Sequence, residues 1–154
     1  MNFEHIQNLL RGLNEEEFSG GVSISSISSA EEKLGIKFPS DYVEFLTKLG
    51  SGYASSEEFL GLGGAPHLDV VEVSTQLRVP SSYSFFPSSL IPVKADGYGN
   101  YDCIDLENSS SETSRIVLWL HDGGDNQEYE IISDNYWDWL EKEIKTVQEF
   151  DAQA

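Results

Sequence analysis

The sequence predicts an α+β fold, with helices mainly toward the two ends of the chain and an antiparallel sheet between them. Three observations support this class. Apolar residues recur at helical spacing in the first fifty residues, alternating apolar runs separated by glycine-rich turns occupy residues 91–132, and another helical stripe follows toward the C-terminus. At 154 residues, of which 39% are hydrophobic, the chain is expected to form one domain around its own core.

Two helices are predicted before residue 36. The first spans residues 3–13, and its apolar face consists of Phe3, Ile6, Leu9, Leu10 and Leu13. Ser28 and Glu31 then have the spacing of a capping box, in which a serine oxygen accepts from a backbone N–H and the carboxylate reaches back to the cap. A short second helix is expected to run from there to Leu34, and Gly35 supplies the left-handed residue that ends it.

The third helix is expected to begin near Pro39, whose fixed φ and missing N–H suit a first helical turn, and to end at Gly50. Its apolar face comprises Tyr42, Phe45, Leu46 and Leu49, and its opposite, polar side comprises Asp41, Glu44 and Lys48.

The middle of the chain is less patterned. Residues 50–68 are rich in glycine and predict a loop with one short strand at Phe59–Leu62. Residues 68–78 fit either a strand or a helix, and prolines exclude a long helix in the segment that follows. The structure of residues 68–89 is therefore left open.

The pattern from residue 91 onward predicts two β-hairpins. Residues 91–95 and 101–106 flank a turn at Asp96–Asn100, and the continuous apolar run 116–120 is typical of a central strand covered on both faces. A second glycine-rich turn, 121–125, leads into a strand at 129–132.

A final helix, capped by Ser133 or Asp134, is predicted to bury a stripe of apolar side chains along one face. That stripe consists of Trp137, Leu140, Ile144 and Val147. Trp139 points well away from this stripe, so its side chain either packs against a loop or stays exposed as a binding residue.

The charge of the chain is strongly negative and uneven. Twenty-seven acidic residues stand against nine basic ones, for a net charge of −18, and fifteen acidic but only three basic residues follow Lys94. Such a field repels nucleic acid and anionic membrane surfaces, so neither is expected as a partner. It attracts cationic partners, or it serves only to keep the chain soluble.

Composition also predicts a cytoplasmic protein. The single cysteine, Cys103, cannot form an internal disulfide, the first residues lack the pattern of a signal peptide, and no apolar run is long enough to span a membrane.

No residue pattern indicates catalysis, and neither a cofactor nor a metal is expected. The three histidines lack the spacing of a zinc site, and the acidic residues around the 96–100 turn do not fit a calcium-binding loop. Cys103 lies within a predicted strand without a basic neighbour that would lower its pKa. An enzyme is therefore not predicted.

The segment from Ile27 to Gly50 resembles the N-terminal signature of the SUKH superfamily, which includes the Smi/Knr group. It contains Glu31, Leu34-Gly35, Phe38-Pro39 and an Asp41-Tyr42-x-x-Phe45-Leu46 helix followed by glycine. Further resemblances are Leu60-Gly61, Leu90–Val93 with the 96–101 turn, Cys103–Leu106, and Ile116–Asp122. Together these motifs lie within about residues 27–146. Residues 68–89 match no part of the family signature.

The resemblance implies a curved, mainly antiparallel sheet and no enzymatic activity. Bacterial members of the superfamily resemble immunity proteins that neutralise polymorphic toxins by direct binding, and many such toxins are nucleases. The chain is therefore expected to bind a cationic toxin domain, with a non-catalytic intracellular scaffold as the alternative.

The two acidic turns and their aromatic neighbours form the candidate partner-binding surface. Its residues are Asp96, Tyr98, Tyr101, Asp102, Asp122, Asp125, Glu128 and Trp139. For any one of these acidic residues taken singly, a solvated face with no partner is the favoured interpretation.

Overall fold

A computed structural model describes residues 3–81 and 84–153, and it confirms the α+β class. The helices in these ranges are α1 (Phe3–Arg11), α2 (Ile24–Leu34), α3 (Ser40–Lys48), α4 (Val70–Leu77) and α5 (Tyr136–Gln153). The strands are β1 (Glu16–Phe18), β2 (Gly52–Ala54), β3 (Glu57–Phe59), β4 (Leu90–Ala95), β5 (Tyr101–Asp105), β6 (Ile116–Trp119) and β7 (Glu130–Ser133). Within the described ranges, no helix combines the length and the apolar character that crossing a bilayer requires.

The strands form two antiparallel sheets, ordered β1-β2-β3 and β4-β5-β6-β7. Just beyond β3, the Leu60 N–H donates to the Val93 carbonyl at 2.9 Å, which links the small sheet to the large one. The prediction that residues 116–120 form a central strand is confirmed, because β6 pairs with β5 on one side and β7 on the other. The curvature implied by the family resemblance stays a prediction.

Both faces of the large sheet are covered, which explains the unbroken apolar run of β6. Ile104 of β5 and Ile116 of β6 pack into the main core with the helices. Val117 and Trp119 point to the opposite face and form a second cluster with Phe86. Successive strand residues point to opposite faces, so a strand with two covered faces needs apolar residues at consecutive positions.

The capping-box prediction for α2 is wrong. The helix begins at Ile24, and its cap is Ser23, whose side chain accepts from the Ser26 N–H at 3.1 Å. Ser28 therefore lies inside the helix, and the Glu31 carboxylate accepts from the Phe38 N–H at 2.8 Å instead of reaching back. The serine-rich run contains several residues that could cap a helix. Because Ser23 is the cap, Ile27 lies within α2 and its side chain joins the buried face of that helix.

Short strands and one helix occupy the segments where the sequence pattern was weak. The strand predicted at Phe59–Leu62 is instead β3, which ends at Phe59, and β1 was not predicted, because three-residue strands are too short to show alternation. Within the open segment, residues 70–77 form α4. Asp69 caps it by accepting from the N–H groups of Val71 and Glu72.

The predicted apolar stripe of α5 is confirmed, but its cap is Asn135, not Ser133 or Asp134. The Asn135 Oδ1 accepts from the Asp138 N–H at 2.8 Å, and the Ser133 hydroxyl donates to the Asn135 carbonyl at 2.9 Å. Two candidate caps stand before the correct one in the sequence, so spacing alone could not distinguish them.

The most consequential difference concerns Asp41, which the helical pattern places on the solvent side of α3. Its side chain is only 7% exposed and accepts three hydrogen bonds. The donors are the Ser114 N–H at 2.8 Å, the Ser114 hydroxyl at 2.6 Å and the Tyr136 N–H at 2.9 Å. Asp41 thus joins the first turn of α3 to the residues before β6 and to the first turn of α5.

We predict that Asp41→Ala lowers the free energy of unfolding by about 3 kcal/mol, because it leaves buried donors without an acceptor. Asp41→Asn should lower it by only about 1 kcal/mol, since the amide oxygen can still accept from both backbone N–H groups. Urea unfolding measures both values. Asp122→Ala, at an exposed position, is the control, and equal small changes in all three variants would contradict this role of Asp41.

Candidate functional site

The two glycine-rich turns lie side by side at one end of the large sheet. The Oδ1 atom of Asn100, in the first turn, accepts from the His121 N–H at 3.1 Å and lies 2.8 Å from the His121 Nδ1. One asparagine side chain therefore fixes the β4–β5 turn against the end of β6. We call the surface formed by residues 96–101 and 121–128 the turn edge.

The first turn is ordered by Asp96. Its Oδ1 accepts from the N–H groups of Tyr98 at 2.7 Å and Asn100 at 3.1 Å, and its Oδ2 accepts from the Asn100 amide. Partial burial raises the pKa of Asp96, but these hydrogen bonds outweigh it and the net shift is downward. Gly97 and Gly99 both have positive φ, which a side chain would strain. The result is a rigid turn with the Tyr98 ring 83% exposed at its tip.

The second turn is braced by Gln127. Its side chain accepts from the Leu120 N–H at 2.9 Å and donates to the carbonyls of Leu120 and Gly124. Asp125 is exposed but accepts from the Phe85 N–H at 2.7 Å, so it also anchors the segment before β4. Among the described residues, Asp122 and Glu128 are exposed acids of this turn whose carboxylates accept no hydrogen bond.

The structure divides the eight candidate residues into two groups. Six lie on the turn edge, with Tyr101 half-buried at its base: Asp96, Tyr98, Tyr101, Asp122, Asp125 and Glu128. Asp102 and Trp139 lie away from it, because Asp102 points to the α5 side of β5 and Trp139 is only 1% exposed. The exposed placement considered for Trp139 is wrong.

Trp139 packs between the small sheet and its own helix. Its ring lies 5.9 Å from that of Phe59 and 5.3 Å from that of Tyr136, and its Nε1–H donates to the Asp102 Oδ2 at 3.0 Å. A helical wheel could not show this, because α5 is covered on two sides, by α1 and by the β3–β5 region. Trp139 is therefore a buried structural residue that fixes α5 to β5, the strand that follows the first turn.

Beside this pair, Lys94 links three elements. Its Nζ lies 2.9 Å from the carboxylates of Glu57 and Glu143, and these bonds outweigh burial to raise the pKa of Lys94. Burial raises the pKa of Asp102 to about 6, and the neighbouring Glu143 acts in the same direction, whereas the Trp139 N–H and Lys94 oppose it. The β4–β5 hairpin is thus tied to α5 by both apolar and charged contacts.

A groove runs along the turn edge, between α4 and the ends of β5 and β6. Its wide part has a volume of about 900 Å³ and a narrower part of about 270 Å³ adjoins it, sharing His67, Val73 and Tyr101 as lining residues. The sequence does not predict the α4 wall, since residues 68–78 fit either a strand or a helix. Asp69 followed three residues later by Glu72 is a helix-start signal that could have revealed it.

The residues considered for chemistry do not converge. Over residues 3–81 and 84–153, no group of three or more His, Cys, Asp or Glu side chains is arranged to hold a metal ion. Cys103 is buried, and burial together with Asp102 and Asp105 raises the pKa of its thiol well above the usual range. His5 contacts Glu141, and His67 lies 2.5 Å from Glu58. The turn edge and the groove together form a shaped, acidic surface.

We predict that Asp102→Asn changes how stability depends on pH. Because the pKa of Asp102 is about 6 in the folded chain against a usual 3.8, the folded state binds this proton more tightly than the unfolded state does. The stability that protonated Asp102 contributes to the wild type is therefore lost as the pH rises from about 4 to about 6. Asparagine does not titrate, so the variant has no such loss. The variant's stability relative to wild type should increase over that window.

Urea unfolding at several pH values between 4 and 8 measures this difference. Asp122→Asn removes one negative charge at an exposed site and controls for the change in overall repulsion. Parallel curves for wild type and Asp102→Asn would contradict the prediction.

Comparisons with known proteins agree with this fold. The model of the SUKH_5 family, described as SMI1-KNR4 cell-wall, matches residues 4–145. A crystal structure of a protein from Pseudomonas syringae pv. tomato is similar, with a TM-score of 0.61 and 20% sequence identity over 91% of this chain and 96% of that chain. A comparison with curated proteins finds no match. The chain belongs to the SMI1-KNR4 cell-wall family, within the SUKH superfamily.

Proposed function

We propose that this protein is an immunity protein that binds a cationic toxin domain and neutralises it by covering its working surface. The observation that carries the proposal is the pairing of two acidic turns at one edge of the sheet through Asn100 and His121. Acidic residues of both turns thereby lie at one edge of the sheet, with the exposed Tyr98 at the tip of the first turn.

Family membership supports a binding role, because bacterial members of the SUKH superfamily resemble immunity proteins. The charge of the chain supports a cationic partner. A toxin that cleaves nucleic acid needs a positive cleft for the phosphate backbone, and an acidic protein surface can compete for that cleft. The interaction would require no chemistry from this chain, only complementary charge and shape.

The turn edge suits this task because its charges stand on a rigid base. Gln127 and Asp96 fix the backbone of the two turns, so little conformational freedom is lost on binding. Asp122 and Glu128 are left for the partner, and Tyr98 offers a large ring at a low entropy cost. Long-range attraction between opposite charges speeds association and weakens as salt rises.

We predict that Asp122→Lys combined with Glu128→Lys slows association with the toxin domain about tenfold at low salt, because the local field changes sign. The probe is the effector domain of a toxin encoded beside this protein's gene, made as a catalytically inactive variant for stopped-flow measurements. Rescue of cells that express the active toxin should weaken in parallel.

The matched control is Glu15→Lys combined with Glu16→Lys, which makes the same charge change at exposed positions outside the turn edge. This control should slow association far less. Equal rates for wild type and the turn-edge variant across a salt series would overturn the turn edge as the contact surface. Failure of the wild-type protein to bind or protect would overturn the immunity function and favour a scaffold role.

A further inference from the structure

The groove beside the turn edge has a mixed lining that favours one kind of occupant. One wall is α4, which contributes Glu72 and Val73, and the other is the first turn, which contributes Tyr98. Tyr101 and Trp119 form the floor, where their rings lie 6.5 Å apart. Aromatic side chains therefore line the groove at both its floor and its rim, and the faces of aromatic rings carry negative electrostatic potential.

The charged lining of the groove is of one sign. Glu72 lines the wide part, and Glu57, Glu58 and Asp96 line the narrow part. Neither lysine nor arginine is found among the described lining residues of either part. Lys94 pairs with Glu57 from outside the groove, and the carboxylate of Asp96 accepts hydrogen bonds within its own turn. Glu72 is therefore the exposed carboxylate of the wide part that is left for a cationic group.

Aromatic rings combined with carboxylates form a site for a cationic side chain. A guanidinium group stacks on an aromatic face and, with its remaining N–H groups, donates to a carboxylate. A lysine ammonium is a strongly hydrated point charge without a planar face, so it can pair with the carboxylate but does not stack on the ring as a guanidinium does. The wide part alone has a volume of about 900 Å³, far more than one ion fills, so the groove suits a stretch of chain more than a lone ion.

Resting on the proposed function, we infer that this groove receives an arginine-bearing segment of the partner protein, with a guanidinium stacked on Tyr98 or Tyr101 and paired with Glu72. The acidic turns then attract the partner, and the groove holds one of its basic segments. Helix α4, which lies outside the candidate surface predicted from the sequence, would then contact the partner.

Titration with short peptides tests the groove without the toxin. The probes are two hexapeptides of equal charge in which glycine alternates with arginine or with lysine. Backbone amide shifts in NMR should concentrate at residues lining the groove, and the arginine peptide should bind more tightly. Tyr98→Ala should weaken arginine-peptide binding about two- to fivefold, the range expected for one exposed cation–π contact, while Tyr98→Phe should retain it.

Phe150→Ala is the matched control, because Phe150 is an exposed aromatic residue, 73% accessible, that does not line the groove. Glu16→Gln is the corresponding control for Glu72→Gln. Equal losses in test and control variants, or amide shifts spread over the whole acidic surface, would overturn the inference. Spermine binding as tightly as the arginine peptide would also overturn it, since the groove would then hold a free polyamine.

The toxin domain separates this inference from the proposed function. If Asp122→Lys with Glu128→Lys impairs toxin binding while Tyr98→Ala and Glu72→Gln do not, the turn edge is supported and the groove is overturned. If the wild-type protein binds no toxin, the immunity function fails, and the peptide titration still decides whether the groove selects arginine. Tyr98 and Glu72 are both exposed, so these variants are expected to fold.

Discussion

Three distant parts of the chain meet at the carboxylate of Asp41, which holds α3, α5 and the start of β6 against one another. The carboxylate accepts from Ser114, just before β6, and from Tyr136, the first residue of α5, while it stands in the first turn of α3. A negative charge is also favourable at a helix N-terminus, and Asp41 lies at two of them. Since the three donors would be costly to bury unpaired, the packing around α3 is restricted to arrangements that keep them together.

A second set of buried polar contacts connects α5 to the hairpin that forms part of the candidate binding surface. Lys94 and Asp102, on the paired strands β4 and β5, reach Glu143 and Trp139 of α5. The hairpin whose turn presents Tyr98 is thereby fixed to the same helix that Asp41 positions. Binding residues on loops are effective when a rigid scaffold holds the loops, and here the scaffold is a sheet pinned on one face by α5.

The acidic side chains of the chain fall into two groups that composition alone cannot separate. Several acidic side chains accept backbone hydrogen bonds and order helix starts or turns: Asp41, Asp69, Asp96, Asp105 and Glu31. Others, such as Asp122 and Glu128, are exposed without such a role among the described residues. Only the second kind is available to a partner, so the charge relevant to binding is local and much smaller than the net charge of the whole chain.

The periodic parts of the chain were predictable from the sequence. The apolar stripes of α3 and α5, the two hairpins and the central position of β6 follow from patterns with the period of a helix or a strand, because that period decides which side chains share a face. The candidate turns were identified in the same way, from glycine and acidic residues between apolar runs. The family motifs also contained Asp41, although without its role.

The tertiary structure decided which polar or ambiguous side chains are buried. Trp139 faces away from the apolar stripe of its helix, and Asp41 lies at the border of the stripe of its own, one turn before Phe45. Both are buried because elements remote in the sequence cover them. The α4 wall of the groove was left open for a different reason: an eight-residue helix shows barely two turns of pattern, so its helix-start signal at Asp69 and Glu72 stood without a clear stripe behind it. Local sequence determines which face of an element is apolar, whereas only the packing of distant elements determines what its other faces contact.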